Sequence, residues 1–210
     1  MPGSPDISKG EDFIRTYDLL DHLIADVNRA FEILESDKSS QYLRRCVART
    51  VFAFVEGLIQ IVKFEINTDI RMEGYSIDLS HNEKEVLSEQ KIVNGKSIFI
   101  QIPVDKNFKK TFQLAAKLWN LNDYILHTDG DDYQNFLQAK KARNRLTHPR
   151  NYYDLQVTDY DMHCYAATFF WSKRAFETLF KKKIESIAAD LPKEIRDKFL
   201  SRKSDNSSER

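Results

Sequence analysis

Glycine and proline are scarce in this 210-residue chain, at 6 and 5 residues. So few turn formers argue against a turn-rich all-β sandwich and against long disordered stretches. Only two cysteines occur, Cys46 and Cys164, far apart and without a CxxC pair. That excludes a zinc ribbon, a thioredoxin-type redox site and a disulfide framework, and fits a reducing, cytoplasmic setting. Neither charge is in excess: 32 basic side chains balance 32 acidic ones, which excludes a uniformly basic nucleic-acid binder. Residues 1–10 lack the basic start and apolar stretch of a secretory signal. The most apolar stretch, 47–66, is interrupted by Arg49, Glu56 and Lys63, so it reads as a buried helix and not as a membrane span.

What is abundant is core material, with 14 Phe and 9 Tyr. Phe13, Tyr17, Leu20, Ile24, Val27, Phe31 and Leu34 recur at helical spacing over 11–34. A second helix over 40–66 is apolar around most of its circumference, the pattern of a helix central to a bundle. Its remaining stripe, Arg45, Arg49, Glu56, Gln60 and Lys63, is either a solvated face or the wall of a cleft that Glu56 and Arg49 face. Gly57 predicts close packing on a neighbouring element. Residues 67–77 read as a loop. Ser80 and Glu83 form a capping-box pattern ahead of a short helix over 80–88. Asn94-Gly95 signals a turn, and 97–104 reads as a short extended segment or one arm of a hairpin. Helices follow over 107–124, from about 132 to Pro149, and from Thr158 to about 187. Pro192 opens a short last helix, and 201–210 reads as a disordered tail. The sum is one all-α domain over 1–200, a bundle of four to six helices with an insertion at about 67–105.

Most catalytic signatures are missing: there is no HExxH, phosphate loop, GxGxxG or GxSxG. Asp129-Gly130-Asp131-Asp132 fails the spacing of a calcium loop and reads as an acidic helix start. His22, His81, His127 and His163 stand alone, and no metal site or cofactor is expected. One segment differs from the rest. Residues 138–150, QAKKARNRLTHPR, carry Lys140, Lys141, Arg143, Arg145 and Arg150 and no acid. Residues 1–40 hold nine acids against four bases. The basic segment would either seat a phosphodiester or pair with acidic surface elsewhere.

Within it, His148 precedes Pro149 and is disfavoured in the α region, so it belongs at the helix end. On a continuous helix, residues five apart point about 140° away from each other. Arg143 and His148 can face one way only if the helix unwinds there. Asn144, four residues before His148, is placed to orient the imidazole.

Arg143, Asn144 and His148, followed by Pro149, resemble the Arg–polar–x–x–x–His motif of the HEPN superfamily, small helical bundles of toxins, antiviral systems and RNA processing. The resemblance covers 40–187 in helical order; residues 80–104 match nothing in the minimal four-helix pattern. It implies a metal-independent endoribonuclease in which the RNA 2′-hydroxyl attacks the adjacent phosphate. It also implies a homodimer whose two motifs share one composite site, with an antitoxin or a larger defence complex as a further partner. Arg143 would then bind phosphate and His148 would move protons. Lys140, Lys141, Arg145 and Arg150 would contact the RNA backbone, and Tyr152 and Tyr153 would stack on bases, although packing beneath the motif is the more usual role for at least one of them. Arg49 and Glu56 are accessory positions. Two other readings stand beside this one. In the first, Arg143 simply pairs with a carboxylate and His148 caps the helix. In the second, the domain is a non-catalytic HEPN-like module that binds RNA, nucleotides or a protein.

Overall fold

The computed structural model describes residues 8–72, 79–93 and 96–189, with the side chains of 8–17 left aside. Among the described residues six helices and one hairpin follow in order: α1 (Ser8–Ser36), α2 (Gln41–Met72), α3 (His81–Ser88), β1 (Gln90–Val93), β2 (Lys96–Phe99), α4 (Val104–Leu118), α5 (Asp131–Thr147) and α6 (Asp159–Ala189). A single 3-10 turn, Tyr152–Leu155, links the last two helices. The chain is an all-α bundle, and among the described residues no helix is long and apolar enough to cross a membrane.

The apolar circumference of α2 explains its place. Val47, Val51, Phe54, Val55, Leu58, Val62 and Ile66 are fully buried, and α2 packs against α1, α4, α5 and α6. A helix wetted on only a narrow stripe must sit in the middle of its neighbours. α1 lies along it through Leu20, Leu23, Ile24, Val27 and Leu34. The two helices approach closely at Gly57, where an added Cβ would lie 2.3 Å from Leu23 Cδ1. Aromatic side chains of four helices fill the centre: Phe52, Phe108, Phe136 and Trp171 pack ring against ring.

The structure departs from the sequence reading in four places. α2 does not end at residue 66 but runs to Met72. Its last turns are held because Asp69 accepts from Trp119 Nε1 (2.7 Å) and Lys183 Nζ (2.8 Å), so a polar stretch that looks like a loop is tied down by distant donors. α4 starts earlier and ends at Leu118, and Asn120 adopts a left-handed conformation (φ 54°) that breaks the helix. The extended segment 97–104 is β2 over only its first residues, and it has a partner that alternation does not reveal. β1 pairs antiparallel with β2, Gln90 opposite Phe99 and Val93 opposite Lys96. Both strands are exposed at every residue, so neither carries the alternating burial that marks a half-buried strand. Finally, Tyr152 and Tyr153 do not pack beneath the motif; they are 71% and 79% exposed. The Asn94-Gly95 turn, the Pro192 helix and the 201–210 tail lie outside the described residues.

The capping box of α3 forms as its pattern predicts. Ser80 Oγ accepts from the Glu83 amide, and Glu83 Oε2 accepts from the Ser80 amide. The Thr158–Asp161 pair caps α6 in the same reciprocal way.

Candidate functional site

α5 begins with Asp131 and Asp132, which suit the positive end of the helix dipole. Asp132 also pairs with Arg174 at 2.6 Å, so the acidic run serves as a helix start. The buried face of α5 is Phe136, Ala139 and Ala142. Two alanines in this face let α5 lie close to its neighbours, and the adjacent stripe, Lys140, Arg143 and Asn144, lines a cleft of about 550 Å³. α2 contributes Glu56 and Gln60 to the walls, α4 contributes Asn107, and the far side is closed by Glu89 and the segment following β2.

α5 ends where the proline requires. His148 leaves the helical region (φ −128°, ψ 63°), while its amide still donates to Asn144 O at 3.0 Å. This break turns the ring. Arg143 and His148, which an unbroken helix would point apart, line the same cleft. The His148 ring is exposed and has no hydrogen-bond partner among the described residues. Asn144 does not orient it; its Oδ1 faces Arg143 Nη1 at 3.5 Å.

Arg143 is partly covered. Its Nη2 pairs with Glu56 Oε1 at 2.8 Å, and its guanidinium lies 5.7 Å from the centre of the Phe52 ring. Arg143 is 32% and Glu56 50% exposed at the side chain, so the bond is open to solvent and to competing anions. Lys140 is paired too, with Asp105 at 2.6 Å. The plain reading of Arg143, that it pairs with a carboxylate, is therefore met, while His148 caps α5 only through its backbone.

The other candidates separate. Arg145 points away from the cleft. Its guanidinium donates to the carbonyls of Asp154 (3.2 Å) and Gln156 (2.8 Å) and to Asp161 Oδ2 (2.9 Å). It thereby ties the end of α5 to the 3-10 turn and the start of α6. Lys141 and the Arg150 side chain are exposed and unpaired among the described residues, and the Arg150 amide donates to Asp154 Oδ2 at 2.7 Å. Tyr152 and Tyr153 stand edge-on to each other, 6.0 Å apart, with open faces. Glu56 lines the cleft; Arg49, on the same helix, is exposed and does not.

A second group of residues in the cleft was not visible in the sequence. Glu89 Oε1 accepts from Lys63 Nζ (2.6 Å), Asn107 Nδ2 (3.1 Å) and Gln60 Nε2 (3.3 Å). Burial works against the Glu89 charge, but these donors outweigh it and hold the carboxyl below its ordinary range. Burial likewise pushes the Lys63 ammonium down, and Glu89 offsets only part of that cost. The signals were Gln60 and Lys63 on the polar stripe of α2; nothing in the spacing tied them to Glu89, 29 and 26 positions on. A separate cleft of about 670 Å³, lined by residues 123–133 and α6, holds none of the candidate residues.

Among the described residues no group of three or more His, Cys, Asp or Glu side chains is arranged to hold a metal ion. Compared with known protein families, with curated proteins and with solved structures, the chain matches none of them.

Proposed function

We propose that the protein is an endoribonuclease of the HEPN type, which cuts RNA by attack of a 2′-hydroxyl on its neighbouring phosphate. The observation that carries this reading is the break at the end of α5, which puts an unpaired imidazole and a guanidinium in one cleft. The reaction needs two things: a group that gives and takes protons near neutral pH, and a fixed cation for the charge that builds on phosphorus. Imidazole is the side chain suited to the first, and guanidinium, with its planar array of donors, to the second.

His148 takes the 2′-hydroxyl proton as the oxygen attacks. Arg143 holds the phosphate oxygens with the donors that Glu56 leaves free. The 5′-oxygen then leaves with a proton, and the products are a 2′,3′-cyclic phosphate and a 5′-hydroxyl. No step calls for a metal ion. His148 is the one imidazole lining the cleft, yet the reaction uses an acid and a base. A homodimer with two facing clefts supplies the second. Lys141 and Arg150 are free to follow the RNA backbone, and Tyr152 and Tyr153 have the open faces that base stacking uses.

The test is cleavage of a mixed-sequence labelled RNA in EDTA by the wild type and by His148→Ala. The wild type is expected to leave cyclic-phosphate ends, and the variant to be slower by about 10²–10⁴-fold, the usual contribution of a general acid or base. Equal cutting by both proteins, or none by either, overturns the reading.

A further inference from the structure

The end of the cleft formed by Glu89 is built more elaborately than phosphate chemistry requires, and an anion there repels phosphate. Glu89 follows α3 in a left-handed conformation (φ 53°, ψ 31°), where glycine would be at ease and other residues are strained. Its carboxylate is fixed from one side only. Three donors converge on Oε1, and two of them belong to residues that are nearly closed off from water, Lys63 at 3% and Asn107 at 7%. Oε2 has no partner among the described residues, and Glu89 lines the cleft. An ionised carboxylate only accepts hydrogen bonds. The arrangement therefore offers one oriented acceptor to whatever fills the cleft. Beside it stands Phe99, the last residue of β2, 69% exposed and lining the same space, with Ile59 and Ile102 as further apolar wall.

We propose that this end of the cleft is a base-reading subsite for guanine, with Glu89 Oε2 accepting from the N1–H and N2–H donors and Phe99 stacking on the ring. Guanine alone sets two donors side by side on its Watson–Crick edge. Uracil has a single N3–H between two carbonyls, which repel a carboxylate. Adenine and cytosine place their amino group beside a ring-nitrogen lone pair, which does the same. The charge pattern also sets direction: the phosphate lies toward Arg143 and His148, and the base toward Glu89. The subsite rests on the ribonuclease reading, since it supplies the sequence preference of that cut. A clip that merely anchors the hairpin would explain the Lys63 contact but leaves the free oxygen and the exposed ring without a use.

The experiment titrates the full-length chain with 3′-GMP, 3′-AMP, 3′-CMP and 3′-UMP by calorimetry, for the wild type, Glu89→Gln and Phe99→Ala. The wild type is expected to bind 3′-GMP at least about tenfold more tightly than the others, as a good base-edge contact provides. Glu89→Gln keeps an oxygen for Lys63 but turns the free acceptor into a donor, so the preference for 3′-GMP disappears and the other three change little. Phe99→Ala touches none of the Lys63 contacts; it weakens all four by about fivefold or more and keeps their order. Four nucleotides that bind alike, no binding by any, or an equal loss for all four in Glu89→Gln overturns the subsite. RNA cutting with no nucleotide preference removes the subsite and leaves the nuclease. A 3′-GMP preference in a protein that cuts no RNA removes the nuclease and leaves the subsite.

Discussion

Arg143 and Arg145 stand two residues apart on one helix, and the structure gives them different partners. Arg145 joins three acceptors that belong to the connection between α5 and α6. One of them, Asp161, is 12% exposed at its side chain, so its bond to the guanidinium is sheltered and charge-assisted. Such a bond contributes about 1.5–3 kcal/mol, and a neutral bond to a carbonyl contributes about 1 kcal/mol. Arg145 is itself one third exposed, so water replaces part of what Arg145→Ala removes. Asp161 also keeps its bond from the Thr158 amide. A loss of about 3 kcal/mol is a fair sum, or a fall in Tm of about 6–12 °C for a chain of this size.

Arg143→Ala breaks one exposed pair with Glu56 and a contact with the Phe52 ring. Together these contribute about 1 kcal/mol. Its Tm should therefore fall by only about 2–4 °C. Thermal melts followed by circular dichroism, run beside the RNA cleavage assay, separate the two. Arg145→Ala is expected to melt early and still cut RNA below its melting range. Arg143→Ala is expected to melt nearly as the wild type and cut poorly. An Arg145→Ala protein that melts within 2 °C of the wild type, but loses RNA binding, would refute the assignment and return Arg145 to the RNA contacts named from sequence.

Three further outcomes follow from named contacts. Gly57→Ala gains about 1 kcal/mol of helix propensity and brings its Cβ to 2.3 Å from Leu23 Cδ1, the movable end of a half-buried side chain, so the shift it forces cancels the gain; urea melts should show a net change of under about 1 kcal/mol, and Gly57→Ala made in a Leu23→Ala background should stabilise. The Tyr165 hydroxyl is buried without a partner among the described residues, so Tyr165→Phe should raise stability by about 1 kcal/mol in the same melts. Glu89 has a folded-state pKa below its unfolded one. Its contribution to stability is therefore present above the ordinary glutamate range and is lost as pH falls through the lowered value; Glu89→Gln should flatten the acid limb of a plot of stability against pH.

The helix break at His148 was legible because Pro149 restricts the residue before it, a rule that acts between neighbours. Gly57 was legible for a similar reason: a residue without a side chain inside an apolar helix implies something close by. Arg145 was not legible. Two of its three acceptors are backbone carbonyls, 9 and 11 residues on, which any residue type would have supplied, and the third, Asp161, lies 16 residues on in the next helix. Glu89 was missed because its role depends on α2 and α4 meeting across the insertion, and its own neighbours carry no pattern. β1 was missed because a strand exposed on both faces has no reason to alternate. The run at 67–72 misled for the opposite reason, since polarity there signals half-buried bonding to distant donors and not a loop.

The polar stripe of α2 joins these cases. Arg45 donates to Leu155 O at 3.2 Å, Glu56 meets Arg143, and Gln60 and Lys63 meet Glu89; Arg49 alone is left in solvent. In turn, the stripe receives the backbone of the 3-10 turn, the cation of α5 and the carboxylate at the base of the hairpin. None of these partners offers an apolar face, so none could dock on an apolar stripe. Had positions 56, 60 and 63 been leucine, burial would favour closing α5 and the hairpin base over them. The polar residues instead hold those elements at hydrogen-bonding distance, with charged groups between them. The cleft that contains Arg143 and His148 exists because the central helix of the bundle is not apolar all the way round.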